Sequence, residues 1–292
     1  MTALLKLYPA AFRREFGDEI ADAYREATRG AGRAARVREA ADIAGHALRM
    51  RLGLGSAGRA GRGLAALAPF ALVAVGANAV CWSMLALHSA AAAREGDALG
   101  LVLPLLASAQ LVTLLGVVLA LAGRWGAGTW TALLGVLAGI AVDAVRWGSA
   151  ALEFAALFSG LPLLLALVAL LCPPDLRPVP RVRTAAGVAA VVMWAAVLTA
   201  ALVACPLPYG FGGLRFALPA AAGLILAGRP AWARLRTAPA VLLAGLPLIL
   251  MGALTGTVGP LLLAPLLGAL LAAAVAVSVR RRRGRRDPLI GA

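Results

Sequence analysis

The sequence is poor in the residues that build catalytic and metal sites. It has only 2 histidines, His46 and His88, and only 3 cysteines in 292 residues. Cys81, Cys172 and Cys205 form no CxxC pair and no cluster with histidine, so we expect neither a metal site nor a structural disulfide. HExxH, GxSxG and phosphate-loop motifs are also missing. The sequence therefore predicts a protein that is not an enzyme and that uses no cofactor.

Charged residues are scarce, and those present are mostly positive. They make up 14% of the chain, yet the net charge is +15, and Lys6 is the only lysine among the basic residues. Such an excess could indicate nucleic-acid binding. Here the arginines flank apolar segments or lie within the first 62 residues among Asp and Glu. This placement is typical of membrane loops that face anionic lipid, and we expect no nucleic acid.

Apolar residues dominate what remains. They form 62% of the chain, and the mean hydropathy is +0.88, well above the roughly half-apolar composition of soluble domains. The sequence predicts an all-α fold, a polytopic membrane helical bundle of about eight transmembrane helices, because backbone groups in lipid must be paired internally. The predicted bundle covers 64–279, with spans at 64–88, 99–122, 126–145, 150–172, 184–206, 211–228, 238–254 and 260–279.

Arginines are concentrated in every second gap between these spans, and the intervening gaps carry few or balanced charges. The arginine-bearing gaps are those near Arg124, from Arg177 to Arg183 and from Arg229 to Arg236, together with the polybasic tail 280–292. Because positive loops stay cytoplasmic, both termini are predicted to be cytoplasmic in a multi-pass protein of a bacterial plasma membrane. The segment 238–279 is open to two interpretations, either two full spans or a re-entrant hairpin.

The first 52 residues predict a small cytoplasmic helical hairpin, followed by a linker at 53–63. Phe12, Phe16, Ile20 and Tyr24 recur every four residues and mark one apolar face of a helix. A second helix is predicted at 33–52, with an apolar stripe formed by Val37, Ala41, Ala44 and Leu48. This prefix is too small to bury a sizeable core alone. We expect its Phe12-to-Tyr24 face to dock a cytoplasmic protein partner.

Few ionisable residues lie at the ends of the predicted spans, and Asp143, Glu153 and Arg215 are the candidate substrate-binding residues. Ionisable groups at membrane depth are functional candidates, because burying their charge in lipid is unfavourable. The alternative is an interfacial charge cluster that reaches water and anchors a helix pair. The deeper polar residues Asn78, Gln110 and Thr199 are expected to join helices through hydrogen bonds.

The segment from Leu7 to Ile20 reads LYPAAFRREFGDEI. It resembles leaders that precede some FtsX-like or macrolide-exporter-like ABC permeases and that open many uncharacterised actinobacterial multipass proteins. The resemblance covers about the first fifty residues and implies a permease-associated membrane protein. Those permeases have four helices and a large extracytoplasmic domain, and the present sequence predicts neither.

Three functions are compatible with these patterns. The leading hypothesis is a transporter-like or permease-associated accessory component that docks a cytoplasmic partner through its prefix. The alternative is a secondary transporter or exporter of a small or lipophilic solute, with Asp143, Glu153 and Arg215 at an outer vestibule and Pro219 and Pro247 near moving helices. A membrane enzyme acting on lipid is the third, and it would require convergent polar groups in a buried pocket.

Overall fold

A computed structural model describes most of the chain. The described residues are 2–55, 58–92, 99–147, 153, 158–178, 182, 184–204 and 213–283. Within these ranges the structure is helical and contains no strand. The chain forms two compact units, one made of Met1–Leu64 with Pro173–Leu176 and one made of Ala65–Cys172 with Arg177–Ala292.

The first unit contains three helices that precede the long apolar segments. They are α1 (Thr2–Leu5), α2 (Ala10–Ala27) and α3 (Arg33–Arg51). Pro9 immediately precedes α2, where its fixed φ favours helix initiation and its missing N–H is not needed. The side chain of Arg51 donates a 2.8 Å hydrogen bond to the carbonyl of Lys6 and so connects the end of α3 to the segment after α1.

Tyr8, Ile43 and Ala47 form the buried core of this unit. Five partly buried side chains pack against them: Leu4, Phe12, Ile20, Tyr24 and Met50. The rings of Tyr8 and Phe12 stack with their centroids 5.3 Å apart. The apolar face of α2 that the sequence assigns to a partner is therefore used, for the most part, inside the unit itself.

Two members of the apolar stripe predicted on α3 are largely exposed. Val37 is 63% exposed and Leu48 is 56% exposed, while Ile43 and Ala47 on another face are buried. Both sets have helical spacing, because α3 carries apolar residues on more than one side. Tyr8 and the partly buried side chains of α2 select the Ile43 face, which hydropathy alone does not single out.

The second unit is built from long apolar helices. They are α4 (Arg59–Ala92, whose first residues belong to the first unit), α5 (Leu99–Leu121), α6 (Trp125–Trp147), α7 (Gly160–Leu170), α8 (Ala185–Ala204), α9 (Leu214–Trp232), α10 (Ala238–Leu254) and α11 (Pro260–Arg283). Each predicted span thus has a helix within it. Residues 284–292 of the predicted polybasic tail lie outside the described residues.

Four of these helices are long and apolar enough to cross a membrane. The segments are Arg59–Leu87, Val102–Leu121, Trp125–Val145 and Pro260–Arg282. Three other apolar segments, in α7, α8 and α10, have only 10–17 residues, and α9 breaks at Gly228, where φ is 70°. Helix length therefore supports four crossings and does not support the predicted count of about eight.

Helix α4 lies at the centre of the second unit, and α11 lies at its edge. In their most apolar windows, 78% of α4 is buried but only 6% of α11. Phe70 of α4 packs edge-on against Trp232 of α9, with centroids 5.4 Å apart. Gly76 of α4 lies so close to Val117 of α5 that an added Cβ would stand 2.9 Å from a valine methyl. Side chains from both α5 and α9 therefore surround α4.

Helices α5 and α6 pack with their backbones almost in contact. A Cβ atom added to Gly116 would collide with the backbone of Ala132, and one added to Gly128 would collide with that of Ala120. A Cβ atom on Gly135 would likewise overlap Thr113. Small residues of this kind allow close packing and dispersion contacts where lipid provides no hydrophobic drive between helices.

Candidate functional site

The sequence-predicted site residues lie in different parts of the second unit. Asp143 is buried on α6 and lines a small polar cavity. Arg215 is the second residue of α9 and lines a larger cavity. Glu153 is exposed and lines neither cavity. Trp82 contributes to the walls of both cavities, but the structure does not bring the three charged residues together in one site.

The cavity at Asp143 is polar and small. Its polar lining comes from Asn78, Gln110, Thr113, Asp143 and Ser159, and its volume is about 40 Å³. A single water needs roughly 10–15 Å³ of such space, so this cavity has room for a few water molecules and not for a solute. Asn78 and Gln110, which the sequence assigns to helix packing or hydrogen bonding, both face this cavity.

The cavity at Arg215 is about ten times larger, at 380 Å³. Its walls come from the second half of α4, from α8 and α9, and from the turn between α10 and α11. The lining residues are Cys81, Trp82, Met84, Leu85, Thr199, Arg215, Leu254, Thr255, Gly256 and Thr257. Arg215 is the only charged residue among them, so the cavity has a positive wall.

The guanidinium of Arg215 is not neutralised by a carboxylate in this lining. Its Nε is buried and has no hydrogen-bond partner among the described residues. Arg215 as a whole is half-buried, and an N–H withdrawn from water is stabilised by an acceptor placed in the cavity. Arg215 therefore offers a positive charge and a free Nε–H to an anion.

A proline fixes the backbone beside this arginine. Pro219 stands four residues after Arg215 and has no N–H to donate to the Arg215 carbonyl. The thiol of Cys81 lies 3.7 Å from that carbonyl and donates to it. Cys81 thus has a structural role that its isolated position in the sequence does not reveal, and it joins α4 to the start of α9.

The threonines of the cavity differ in what they can offer a ligand. The hydroxyls of Thr255 and Thr257 donate to the carbonyl of Gly252 at the end of α10, each at 3.0 Å. Thr199 is 1% exposed, and its Oγ1 has no partner among the described residues. The buried donors without a partner in the described lining are therefore the Arg215 Nε–H and the Thr199 hydroxyl.

A third cavity, almost purely apolar, shares two lining residues with the Arg215 cavity. It has a volume of about 200 Å³ and shares Met84 and Thr199 with the Arg215 cavity. Its remaining walls are apolar residues of four helices, α4, α5, α8 and α9, including Val117, Ala196 and Pro219. The Arg215 cavity thus supplies a cationic wall, the third cavity supplies apolar walls, and Met84 and Thr199 belong to both linings.

Comparison with protein-family models, curated proteins and solved structures gives no match for this chain. Among the described residues, no group of three or more His, Cys, Asp or Glu side chains could hold a metal ion. Sequence reasoning selected Arg215 because a charge at a span end is uncommon. It missed the association with Thr199 and Met84, because these residues come from helices far apart in the chain.

Proposed function

We propose that this chain is a transporter-like protein of a bacterial plasma membrane that binds a small or lipophilic solute in the cavity at Arg215. The observation that carries the proposal is the buried Arg215 Nε without a partner, at the wall of a 380 Å³ cavity. Cavities that bind small molecules are concave and mostly apolar, with a few placed polar groups. Arg215 and Thr199 are such groups, and the remaining lining is largely apolar or already hydrogen-bonded.

A flux assay tests this function. Proteoliposomes loaded with a panel of small organic anions and lipophilic solutes are expected to release at least one of them faster than protein-free liposomes do. Arg215→Ala should remove that difference. Arg236→Ala is the matched control, because Arg236 is exposed and only contacts the carbonyl of Ala233 at 3.0 Å. Equal release by wild-type protein and protein-free liposomes would refute the proposal.

The proposed topology has eight crossings with both termini in the cytoplasm. The alternation of arginine-rich and arginine-poor gaps supports it, because positive loops remain on the cytoplasmic side. The shorter helices would cross by packing against longer neighbours and by local thinning of the bilayer. In a cysteine-free background, Gly259→Cys should react with an impermeant maleimide in intact cells, whereas Gly30→Cys should react only after permeabilisation. Labelling of both sites in intact cells would contradict this arrangement.

A second candidate function is that of an accessory component, with the first unit docking a cytoplasmic protein. The supporting observation is the apolar surface of α3, where Val37 and Leu48 are more than half exposed. A photo-crosslinking residue at Val37 is expected to give a discrete adduct in cells, and one at the buried Tyr8 is the control. An absence of adducts from both Val37 and Leu48 would dismiss the docking hypothesis.

A further inference from the structure

The class of ligand follows from the residues that line the two larger cavities. The Arg215 cavity is positive at one wall, and the third cavity is lined by apolar side chains with Thr199 as its polar member. Met84 and Thr199 belong to both linings. A molecule that fills both cavities must therefore carry an anionic group at one end and an apolar chain at the other.

We infer that the bundle binds an anionic amphiphile, with a phosphate or carboxylate head at Arg215 and an acyl or alkyl chain in the apolar cavity. The inference rests on the proposed solute-binding function and names its ligand class. The planar guanidinium presents several N–H donors to a phosphate or carboxylate, which suits paired hydrogen bonds. The Thr199 hydroxyl, buried and without a partner, supplies a further donor at the junction.

The alkyl chain of the ligand is explained by burial of apolar surface. The cavity of about 200 Å³ lies among valine, leucine and alanine side chains of α4, α5, α8 and α9. Neutral polar solutes gain nothing from such walls, and a small inorganic anion would leave this space unfilled. An alkyl chain fills it, and the dispersion contacts of each carbon add to the attraction at the head group.

The head-group part is tested by titrating the full-length protein in maltoside micelles with dodecyl phosphate and measuring the bound fraction by native mass spectrometry. Arg215→Gln is expected to weaken binding about tenfold or more, because it removes a charge-assisted contact. Arg215→Lys should retain part of the affinity, and Arg236→Gln should retain all of it. Unchanged binding by Arg215→Gln would overturn the assignment of the head group.

A second pair of variants tests where the alkyl chain of the ligand lies. Ala196 lines the apolar cavity and is exposed, so Ala196→Phe should block the chain without disturbing a buried core. Ala200→Phe is the matched control, because Ala200 is exposed on the same helix one turn away and lines neither cavity. We expect Ala196→Phe to weaken dodecyl phosphate binding severalfold and Ala200→Phe to leave it unchanged. An equal effect of both variants would contradict the placement of the alkyl chain in the apolar cavity.

Two further ligands test the amphiphile inference separately from the proposed solute transport. Dodecanol has the chain without the charge, and inorganic phosphate has the charge without the chain. Both should bind at least about tenfold more weakly than dodecyl phosphate. Tight binding of inorganic phosphate would identify a free-anion site, which overturns the amphiphile and leaves solute binding intact. Tight binding of dodecyl phosphate without any solute flux would refute transport and leave the amphiphile site intact.

Discussion

The indole Nε1 of Trp125 donates a 3.1 Å hydrogen bond to the backbone carbonyl of Ala169, and both residues are buried. Pro173 stands four residues after Ala169 and has no N–H with which to continue the helical pattern. The backbone N–H of Cys172 also donates to this carbonyl, at 3.3 Å, so the indole is a second donor to it. The side chain at the start of α6 thus stabilises the end of α7.

The same arrangement recurs in α4. Pro69 lies inside this helix and leaves the Ala65 carbonyl without its usual donor. Arg234, which follows α9, donates to that carbonyl through Nη1 at 2.9 Å. With Cys81 at the carbonyl of Arg215 and Trp125 at that of Ala169, three carbonyls of the second unit, each four residues before a proline, accept from a side chain outside their own helix. Proline placement and helix packing are therefore coupled in this bundle.

Replacing Trp125 should destabilise the second unit. Trp125→Phe keeps an aromatic ring but removes the N–H, and we expect a loss of roughly 1–3 kcal/mol in the free energy of unfolding. Trp130→Phe is the control, because Trp130 is exposed and has no comparable bond among the described contacts. The quantity to measure is the unfolding midpoint in mixed micelles with increasing denaturing detergent. Equal midpoints for the two variants would show that the bond does not contribute.

A double-mutant cycle tests the Arg234 contact. Arg234→Gln should lower the unfolding free energy by roughly 1–3 kcal/mol, because it leaves the Ala65 carbonyl buried without this donor. In a Pro69→Ala background the restored backbone N–H can pair with that carbonyl, so the same replacement should cost less. The coupling energy is read from the four unfolding midpoints. Additive effects of the two changes would show that Arg234 and the restored backbone N–H do not compete for the Ala65 carbonyl.

Close packing of α5 and α6 predicts that small additions are harmful there. Gly128→Ala places a methyl group against the backbone of Ala120, and overpacking of this kind costs roughly 1–3 kcal/mol. Gly268→Ala on α11 is the matched control, because no atom outside its own helix backbone lies within 4 Å of the new Cβ. That variant should be neutral or stabilising by up to about 1 kcal/mol. Thermal unfolding in micelles compares them, and an equally stable Gly128→Ala protein would rule out the tight contact.

The core of the first unit can be probed within the full chain. Ile43→Ala removes most of a buried side chain next to Tyr8, for which a loss of roughly 2–5 kcal/mol is usual in well-packed cores. Proteolysis between residues 1 and 52 should then become faster. Val37→Ala, at an exposed position of the same helix, should leave the cleavage rate unchanged. Equal acceleration by both variants would mean that Ile43 is not part of the core.

The helical class and the helix positions could be predicted from sequence, because continuous apolar runs and arginine-bearing gaps are local features. The number of crossings was less predictable, because four of the described helices are long and apolar enough to span a membrane and the sequence predicts about eight. Hydropathy measures the composition of a run, and the length of a helix also depends on its neighbours.

The candidate site shows the same division between local and long-range information. Arg215 is recognisable in the sequence, because a charge next to an apolar helix is unusual. Its surroundings are not, since Cys81, Thr199 and Thr257 are brought to it from three other parts of the chain. Helix α3 is a related case: two apolar stripes have the same period, and the contact with Tyr8 decides which of them is buried.

The glycine contacts between α5 and α6 have a mechanical consequence. With no side chain between the two backbones at Gly116 and Gly128, neither helix can rotate or slide without a steric clash. The pair therefore moves as one rigid body, and its helix α5 lines one wall of the apolar cavity. The other walls of that cavity come from α4, α8 and α9, so a movement that admits a ligand involves those helices, of which α9 bends at Gly228.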